Sequence, residues 1–369
     1  MNKITTIQVC FTYTLLSVAS FLGIGIFGML QLAKRDAYIS VLISFLVSSI
    51  ILFIFFKVWN YEPNLPFYEK TKKLFGKTLG TIINYIILIL VTIILVSAIY
   101  NFLIFINTQL LTKTPYLILG IALTFVSLYL ISKGIVTIFR LGVLLLTINL
   151  ILFFTAAFNL FTTIEISNFF PILKDGISPV LNGALLGIYQ FTYPIIFLLI
   201  IPKNKIINSK ITNKFLFLSH CFSHILLFLF IFLILGNLGY EIVELYTYPE
   251  YMVFKGVELF GFIDRIENVL TTQWIFGYLF FFSFGLYFLE NLMNYNFKLK
   301  ENNKILITII SFVLLIISNK LFPNDISYLN FVDTISSKIK IIFIGIIILL
   351  FIAILIKKYL SNRNKIENV

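Results

Sequence analysis

The residues best placed to do chemistry in this sequence are glycines and a proline, not acids, bases or nucleophiles. Phe21-Leu22-Gly23-Ile24-Gly25-Ile26-Phe27-Gly28 lies inside one long apolar stretch. Gly187-Ile188-Tyr189-Gln190-Phe191-Thr192-Tyr193-Pro194, preceded by Gly183, lies inside another. Glycine costs about 1 kcal/mol in a helix interior and proline about 3, so both segments are expected to unwind part-way. Single glycines more often serve close helix packing; the matched pair of segments favours unwinding. Bare backbone in a membrane interior has a use. Free N–H groups at a helix start hold a carboxylate, and free C=O groups hold an ammonium or a cation. A site of that kind needs no charged side chain and suits a zwitterionic amino acid, with small sugars and nucleosides as further candidates.

Conventional catalytic groups are sparse. His220 and His224 stand four apart and share one helix face, with Cys221 beside them. A metal site needs at least three good ligands, so a proton relay or plain interhelical hydrogen bonding are the other readings. Glu290, near the end of an apolar run, is an intramembrane acid and a functional candidate, or it simply reaches water or a lysine. No metal-ligand spacing, Ser–His–Asp arrangement or phosphate loop is present, and neither a metal nor a cofactor is expected. A membrane enzyme would need acid–base or metal groups gathered at one membrane face.

The elements that must carry these residues follow from composition. Of 369 residues 60% are hydrophobic and 12% charged, with mean hydropathy +1.01, far too apolar for a soluble domain. An aromatic content of 17%, including 42 Phe, suits lipid-facing helices and interfacial belts. The net charge of +12 sits in short clusters between apolar spans and marks topology, not nucleic-acid binding. Apolar runs long enough to cross a lipid bilayer fall near 7–32, 37–58, 80–108, 115–132, 137–161, 180–201, 213–236, 270–293, 304–321 and 336–356. The first exceeds a signal-peptide core and lacks a cleavage site. Cys10 and Cys221 both lie in such runs, so no disulfide is expected.

Lysines orient the chain. Lys57, Lys70, Lys72, Lys73, Lys77, Lys203, Lys205, Lys210, Lys214, Lys298, Lys300, Lys304, Lys357, Lys358, Arg363 and Lys365 gather on the side of the N-terminus, and fewer basic residues lie opposite. The bias predicts both termini in the cytoplasm. Ten helices divide as five plus five, and an odd number per half inverts the second half. The expected fold class is therefore an all-α integral membrane protein with a 5+5 inverted repeat (7–161 and 180–356) and broken helices 1 and 6, as in amino-acid transporters of the LeuT and amino acid–polyamine–organocation type.

Further motifs carry a resemblance. Ile4-Thr5-Thr6-Ile7-Gln8 enters helix 1; Asn64-Leu65-Pro66 precedes Phe75-Gly76-Lys77-Thr78-Leu79-Gly80; Leu111-Thr112-Lys113-Thr114-Pro115 precedes helix 4. Lys133-Gly134 stands ahead of Phe139-Arg140, Phe170-Pro171 ahead of Gly176, Pro179 and Gly183, and Phe262-Ile263-Asp264-Arg265-Ile266-Glu267 ahead of helix 8. In order and spacing these resemble the endospore germination permeases, the B-type membrane subunits of spore germinant receptors. The resemblance implies a protein of the spore inner membrane that senses a small-molecule germinant, commonly an amino acid, together with an A-type membrane subunit and a C-type lipoprotein. Many amino acid permeases place Gly-Glu in helix 6 where this chain has Tyr193-Pro194, a departure pointing away from ion-coupled transport.

Helices 3 and 8 flank a site of this plan. The expected ligand-binding set is Gly23, Ile24, Gly25, Ser97, Tyr100, Asn101, Gly187, Gln190, Thr192, Tyr193, Ser283 and Tyr287. The acid-rich connector 237–269, with Glu258 and Arg265 on one helical face, is expected to act as a lid or partner contact, or as a solvated linker.

Overall fold

The computed structural model describes residues 3–255, 267–299 and 304–366. The connector charges Glu258, Asp264 and Arg265, on which the lid expectation leaned, lie outside the described residues. A short strand, β1 (Ile4–Thr5), leads into α1 (Thr6–Phe21), α2 (Ile24–Ala33), α3 (Ala37–Asn60), α4 (Phe67–Gln109), α5 (Tyr116–Ser132), α6 (Ile135–Leu160) and α7 (Ile177–Leu198). Strand β2 (Ile206–Ile207) precedes α8 (Ser209–Leu238), α9 (Tyr240–Val243), α10 (Pro249–Lys255), α11 (Glu267–Asn296), α12 (Lys304–Leu321), α13 (Asp325–Phe331) and α14 (Ser337–Ile366).

Among the described residues eight helical stretches are long and apolar enough to cross a membrane, one of which, Ile24–Asn60, contains the hairpin of α2 and α3. Splitting that hairpin, joining α2 to α1 as one interrupted crossing, and counting the 17-residue α5 recovers the ten expected spans. Two boundaries move. Pro66 starts helix 3 early, so α4 begins at Phe67 and kinks at Gly76, whose φ of 79° only glycine adopts freely. Helix 10 also begins early. Asn324 caps α13 by accepting from Ser327 N–H at 2.9 Å, and a π-helical stretch, Val332–Ser336, joins α13 to α14.

Two faces can be told apart by their ties. On the terminal face, β1 pairs in parallel with β2 through Ile4–Ile206 and Thr5–Ile207, and Lys357 Nζ donates to Lys73 O. On the opposite, connector face, Arg35 pairs with Glu241 at 2.7 Å and Lys34 with Asp175 at 2.8 Å. Both surface pairs have an exposed partner and contribute little stability.

Helix neighbours respect the five-plus-five plan. α1 packs on α8 as α7 packs on α3, α1 on α6 as α7 on α14, and α4 on α12 as α11 on α5. Each pairing becomes its partner when helices 1–5 are exchanged for helices 6–10, as an inverted repeat requires. Lipid-facing residues form stripes such as Leu42, Leu46, Ile50 and Phe53 on α3, all exposed. The opposite face of the same helix carries Ser40, Ser44 and Ser48, all buried.

That serine stripe explains where the expectation for helix 6 fails. Helix 1 is interrupted at Leu22 and Gly23, but α7 stays helical from Ile177 to Leu198 with Pro194 inside it. A Cβ on Gly183 would lie 2.8 Å from Ser40 Oγ, and one on Gly187 2.8 Å from Ser44 Cβ and Met29 Cε. These glycines let α7 and α3 approach closely; they do not unwind the helix. Pro194 removes the N–H that Gln190 C=O would accept four residues on. The Ser20 hydroxyl, at the end of α1, shares its single proton between that carbonyl at 2.8 Å and Ser17 O at 2.7 Å. The freed group finds its partner across the helix pair, so the ladder gap costs no unwinding.

Substituting Ser20→Ala is therefore expected to destabilise the fold by about 1–3 kcal/mol, the cost of a buried acceptor left bare. In a Pro194→Ala background, where an N–H is available again, the same change is expected to cost under half as much. Thermal denaturation of the four proteins in detergent checks this; equal costs in both backgrounds would refute the assignment.

Candidate functional site

The break in helix 1 is built by torsion. Leu22 adopts φ −60°, ψ 142°, and Gly23 φ 75°, ψ −125°. Leu22 N–H still reaches Val18 O at 3.1 Å, and Phe27 N–H returns to Gly23 O at 3.0 Å. Between these bonds Ile24, Gly25 and Ile26 open α2 with N–H groups that have no acceptor one turn back. A Cβ at Gly23 would sit 2.7 Å from Trp274 Cη2, so the indole lies flush on bare backbone. A Cβ at Gly25 would sit 2.6 Å from Gln190 Nε2.

Beside this break lies a cavity of about 80 Å³, room for a handful of waters or one small ligand. Ala19, Ser20, Leu22, Ile24 and Gly25 of helix 1 form one wall; Ser97 and Asn101 of α4 and Leu186 and Gln190 of α7 form two more. Tyr278 and Phe281 of α11, with Tyr328 and Phe331 of α13, close it. No lining residue is charged. Polar capacity is nonetheless left over. The Asn101 amide is tied at one end to the Tyr278 hydroxyl and free at Oδ1, and both polar atoms of the Gln190 side chain lack a partner. A buried polar atom without a partner costs about 1–3 kcal/mol, so three of them around one cavity mark a place for a polar guest.

α13 is held over the cavity from α4. Ser97 Oγ donates to the Tyr328 hydroxyl at 3.2 Å, and the Tyr100 hydroxyl donates to Asp325 Oδ1 at 3.1 Å. On the connector side of the break, Glu250 of α10 is fully buried, and its Oε1 accepts from Gly23 N–H at 2.7 Å. Oε2 has no partner. Loss of water pushes this carboxyl up to about 8, partly offset by the backbone N–H groups it accepts from. Phe105 joins Trp274, Tyr248 and Tyr251 in an aromatic collar around it, with centroid distances of 3.8, 5.0 and 5.7 Å from Phe105.

The histidine pair forms a closed neutral network. His224 Nδ1 lies 2.9 Å from His220 O, and a carbonyl only accepts, so the proton of His224 is on Nδ1 and its Nε2 accepts. Ser48 Oγ lies 3.2 Å from His224 Nε2 and 3.0 Å from His220 Nε2. Its single proton goes to His224, and it accepts from His220 Nε2–H. His220 Nδ1 then accepts from the Tyr13 hydroxyl at 2.6 Å. Every ring nitrogen is satisfied with both imidazoles neutral, which favours the hydrogen-bonding reading. Among the described residues no group of three or more His, Cys, Asp or Glu could hold a metal. Glu290 and Tyr287 line a different, larger cavity of about 1050 Å³ on the terminal face, with Lys205 and Lys304 at its rim.

Of the expected ligand-binding residues, Ile24, Gly25, Ser97, Asn101 and Gln190 line the small cavity, and Gly23 stands at the helix break beneath Trp274 without lining that cavity. The others lie elsewhere. Tyr100 points to Asp325, Gly187 faces α3, Thr192 Oγ1 donates to Ile188 O, Ser283 Oγ donates to Leu279 O, and Tyr287 lines the terminal cavity. The side chain of Tyr193 lies outside the described residues. On α11 the cavity is lined from a face other than that of Ser283 and Tyr287. Trp274, Tyr278 and Phe281, spaced by four and three, are the inward stripe, and Ser283 and Tyr287 are rotated away from it. That aromatic spacing is visible in the sequence. Glu250 carried no such signal, because only the path of the connector brings it to Gly23.

An interrupted helix packed against its pseudo-symmetric partner, with a polar cavity at the break, defines a membrane protein of transporter architecture. The chain is similar in fold to a solved Na⁺-coupled sialic acid symporter in a substrate-bound outward-open state, with a TM-score of 0.54 over 95% of this chain and 77% of that one, at 12% identity. Residues 3–327 match the spore permease family of spore germination proteins, and the chain belongs to that family. It is 27% identical to spore germination protein YndE of Bacillus subtilis (strain 168), over 74% of this chain and 76% of the relative. It is 23% identical to spore germination protein KB of the same organism, over 74% and 73%.

Two glycines separate fold from site. Gly23→Ala places a methyl against Trp274 at positive φ and is expected to lower thermal stability by about 1–3 kcal/mol. Gly25→Ala meets the end of the buried Gln190 amide at 2.6 Å and the Ser20 carbonyl oxygen at 3.0 Å; it is expected to cost a comparable amount, about 1–3 kcal/mol, and in addition to lose ligand-induced stabilisation. Differential scanning fluorimetry with and without ligand tells the two apart.

Proposed function

We propose that this chain is the germinant-sensing membrane subunit of a spore germination receptor, and that it binds a small amino acid beside the break in helix 1. The observation that carries this reading is the set of unpartnered polar atoms, Asn101 Oδ1 and both ends of the Gln190 amide, on residues that line the cavity next to bare backbone. An α-ammonium has the three donors that the Asn101 and Gln190 oxygens and the free carbonyls at the end of α1 lack. An α-carboxylate has the charge that the start of α2 favours. At about 80 Å³ the cavity admits side chains no larger than a few atoms. The basic bias of the terminal face supports an orientation with both termini in the cytoplasm, the chain lying in the spore inner membrane and the connector facing outward. Family membership supports assembly with A-type and C-type receptor subunits, and the halves 7–161 and 180–356 act as the two repeats, with 237–269 as the outer connector.

A second reading, a proton- or sodium-coupled amino acid transporter, is favoured by the likeness to a Na⁺-coupled symporter fold. The uncharged lining of the cavity and the neutral histidine network support sensing over ion coupling.

Spores lacking the gene are expected to stop responding to one small amino acid among a panel of single compounds, while keeping their response to others. Proteoliposomes carrying the purified chain are expected to bind that compound without accumulating it. Unchanged germination toward every amino acid would discard the sensing role, and concentrative uptake driven by a sodium or proton gradient would replace it with transport.

A further inference from the structure

A carboxyl group already sits at the start of α2, and it belongs to the chain itself. Glu250 stands in the first turn of α10, behind Pro249, far from helix 1 in sequence. Its side chain is fully buried and reaches the backbone N–H of Gly23, the residue at which helix 1 breaks. The ten-residue α2 directs its unpaired N–H groups and positive end toward this point. An acid this deeply buried is normally matched by a cation or by several donors. Among the described residues Glu250 forms no ion pair, and one of its two oxygens has no hydrogen-bond partner at all. The carboxylate position at the break is filled, but only half of its bonding is used.

We propose that Glu250 is a tethered stand-in for the ligand's carboxylate, seated at the start of α2 until a free carboxylate replaces it. This rests on the reading that the cavity takes an amino acid. The incoming ligand would satisfy what Glu250 cannot. Its carboxylate meets the N–H groups of Gly23 and the first turn of α2, and its ammonium meets Asn101 and Gln190 on the cavity side of the break. Displacement frees α10, which packs against α2, α8 and α11, so binding is converted into release of α10. A ligand lacking a carboxylate leaves Glu250 where it is. Selectivity for acids over amines and the outward signal thus arise from one contact.

The test uses the full chain in nanodiscs and three proteins: wild type, Glu250→Gln and Glu250→Ala. Glu250→Ala empties the carboxylate position, so sodium acetate at tens of millimolar is expected to raise its melting temperature toward that of wild type. Wild type and Glu250→Gln, whose position is filled, should gain no more from acetate than from sodium chloride of equal ionic strength. In the second arm L-alanine and ethylamine, the same molecule without its carboxylate, are compared by calorimetric binding. L-Alanine is expected to bind Glu250→Ala at least tenfold, and Glu250→Gln severalfold, more tightly than wild type, with ethylamine unchanged. Acetate giving no more than chloride, or L-alanine binding all three proteins equally, overturns the proposal; equal binding leaves the amino-acid reading intact. Acetate rescue with no binding of L-alanine or glycine to any of the proteins supports Glu250 as the occupant of a carboxylate position and removes the amino-acid reading instead. Should Glu250→Ala fail to fold, the affinities of Glu250→Gln decide alone, tighter binding of L-alanine supporting the proposal and equal binding overturning it.

Discussion

A main chain that leaves its helix inside a membrane must find other partners for its N–H and C=O groups, because lipid supplies none. This constraint organises the structure around Leu22 and Gly23. Trp274 covers the exposed backbone of Gly23, and Glu250 accepts its N–H. Ser20 reaches across to Gln190 C=O, the carbonyl that Pro194 leaves bare. Helices 1 and 6 thus carry one break and one proline, and a single serine at the first compensates the second. Asn101 and Gln190, which line the cavity between them, keep three unpartnered polar atoms, and Glu250 Oε2 and Trp274 Nε1 add two more around the break.

Rigid packing elsewhere keeps that shortage local. The buried serines of α3 press against the glycines of α7 with no room for a methyl group. The Tyr13–His220–Ser48–His224 network ties α1, α3 and α8 together with every polar atom paired. Both features read from sequence as candidates for chemistry, and both turn out to be framework. A polar network buried in apolar surroundings specifies one arrangement when complete and is costly when incomplete, which suits it to holding the walls of a binding cavity at fixed distance. The larger cavity on the terminal face, lined by Glu290, shares no lining residue with the small one.

The same physics accounts for the division of the chain between two tasks. α4 contributes Ser97 and Asn101 to the cavity and Tyr100 to the clasp on α13, on neighbouring faces of one helix turn. α11 contributes Trp274 to the break and Tyr278 and Phe281 to the cavity. Elements from both halves of the chain and from the connector converge on the break and its cavity, which none of them forms alone.

Sequence by itself determined the solvent and therefore the architecture. Ten apolar runs with few charges leave helices as the only way to satisfy the backbone, and their order and number set the five-plus-five plan. It also pointed to the break in helix 1, because Gly23 and Gly25 are costly in a helix interior, and the plan of helices named Ser97 and Asn101 on α4, which with Ile24 and Gln190 line the cavity at that break. It did not determine which glycines unwind and which pack. Gly183 and Gly187 look like Gly23 and Gly25 in one dimension, and only the serine face of α3 shows them to be contact points. Nor did it determine helix rotation, so Ser283 and Tyr287 were preferred on α11 over Trp274 and Tyr278. The placement of Glu250 at Gly23, 227 residues apart, was decided by tertiary structure alone, since no local propensity links a connector acid to a turn of backbone on a distant helix.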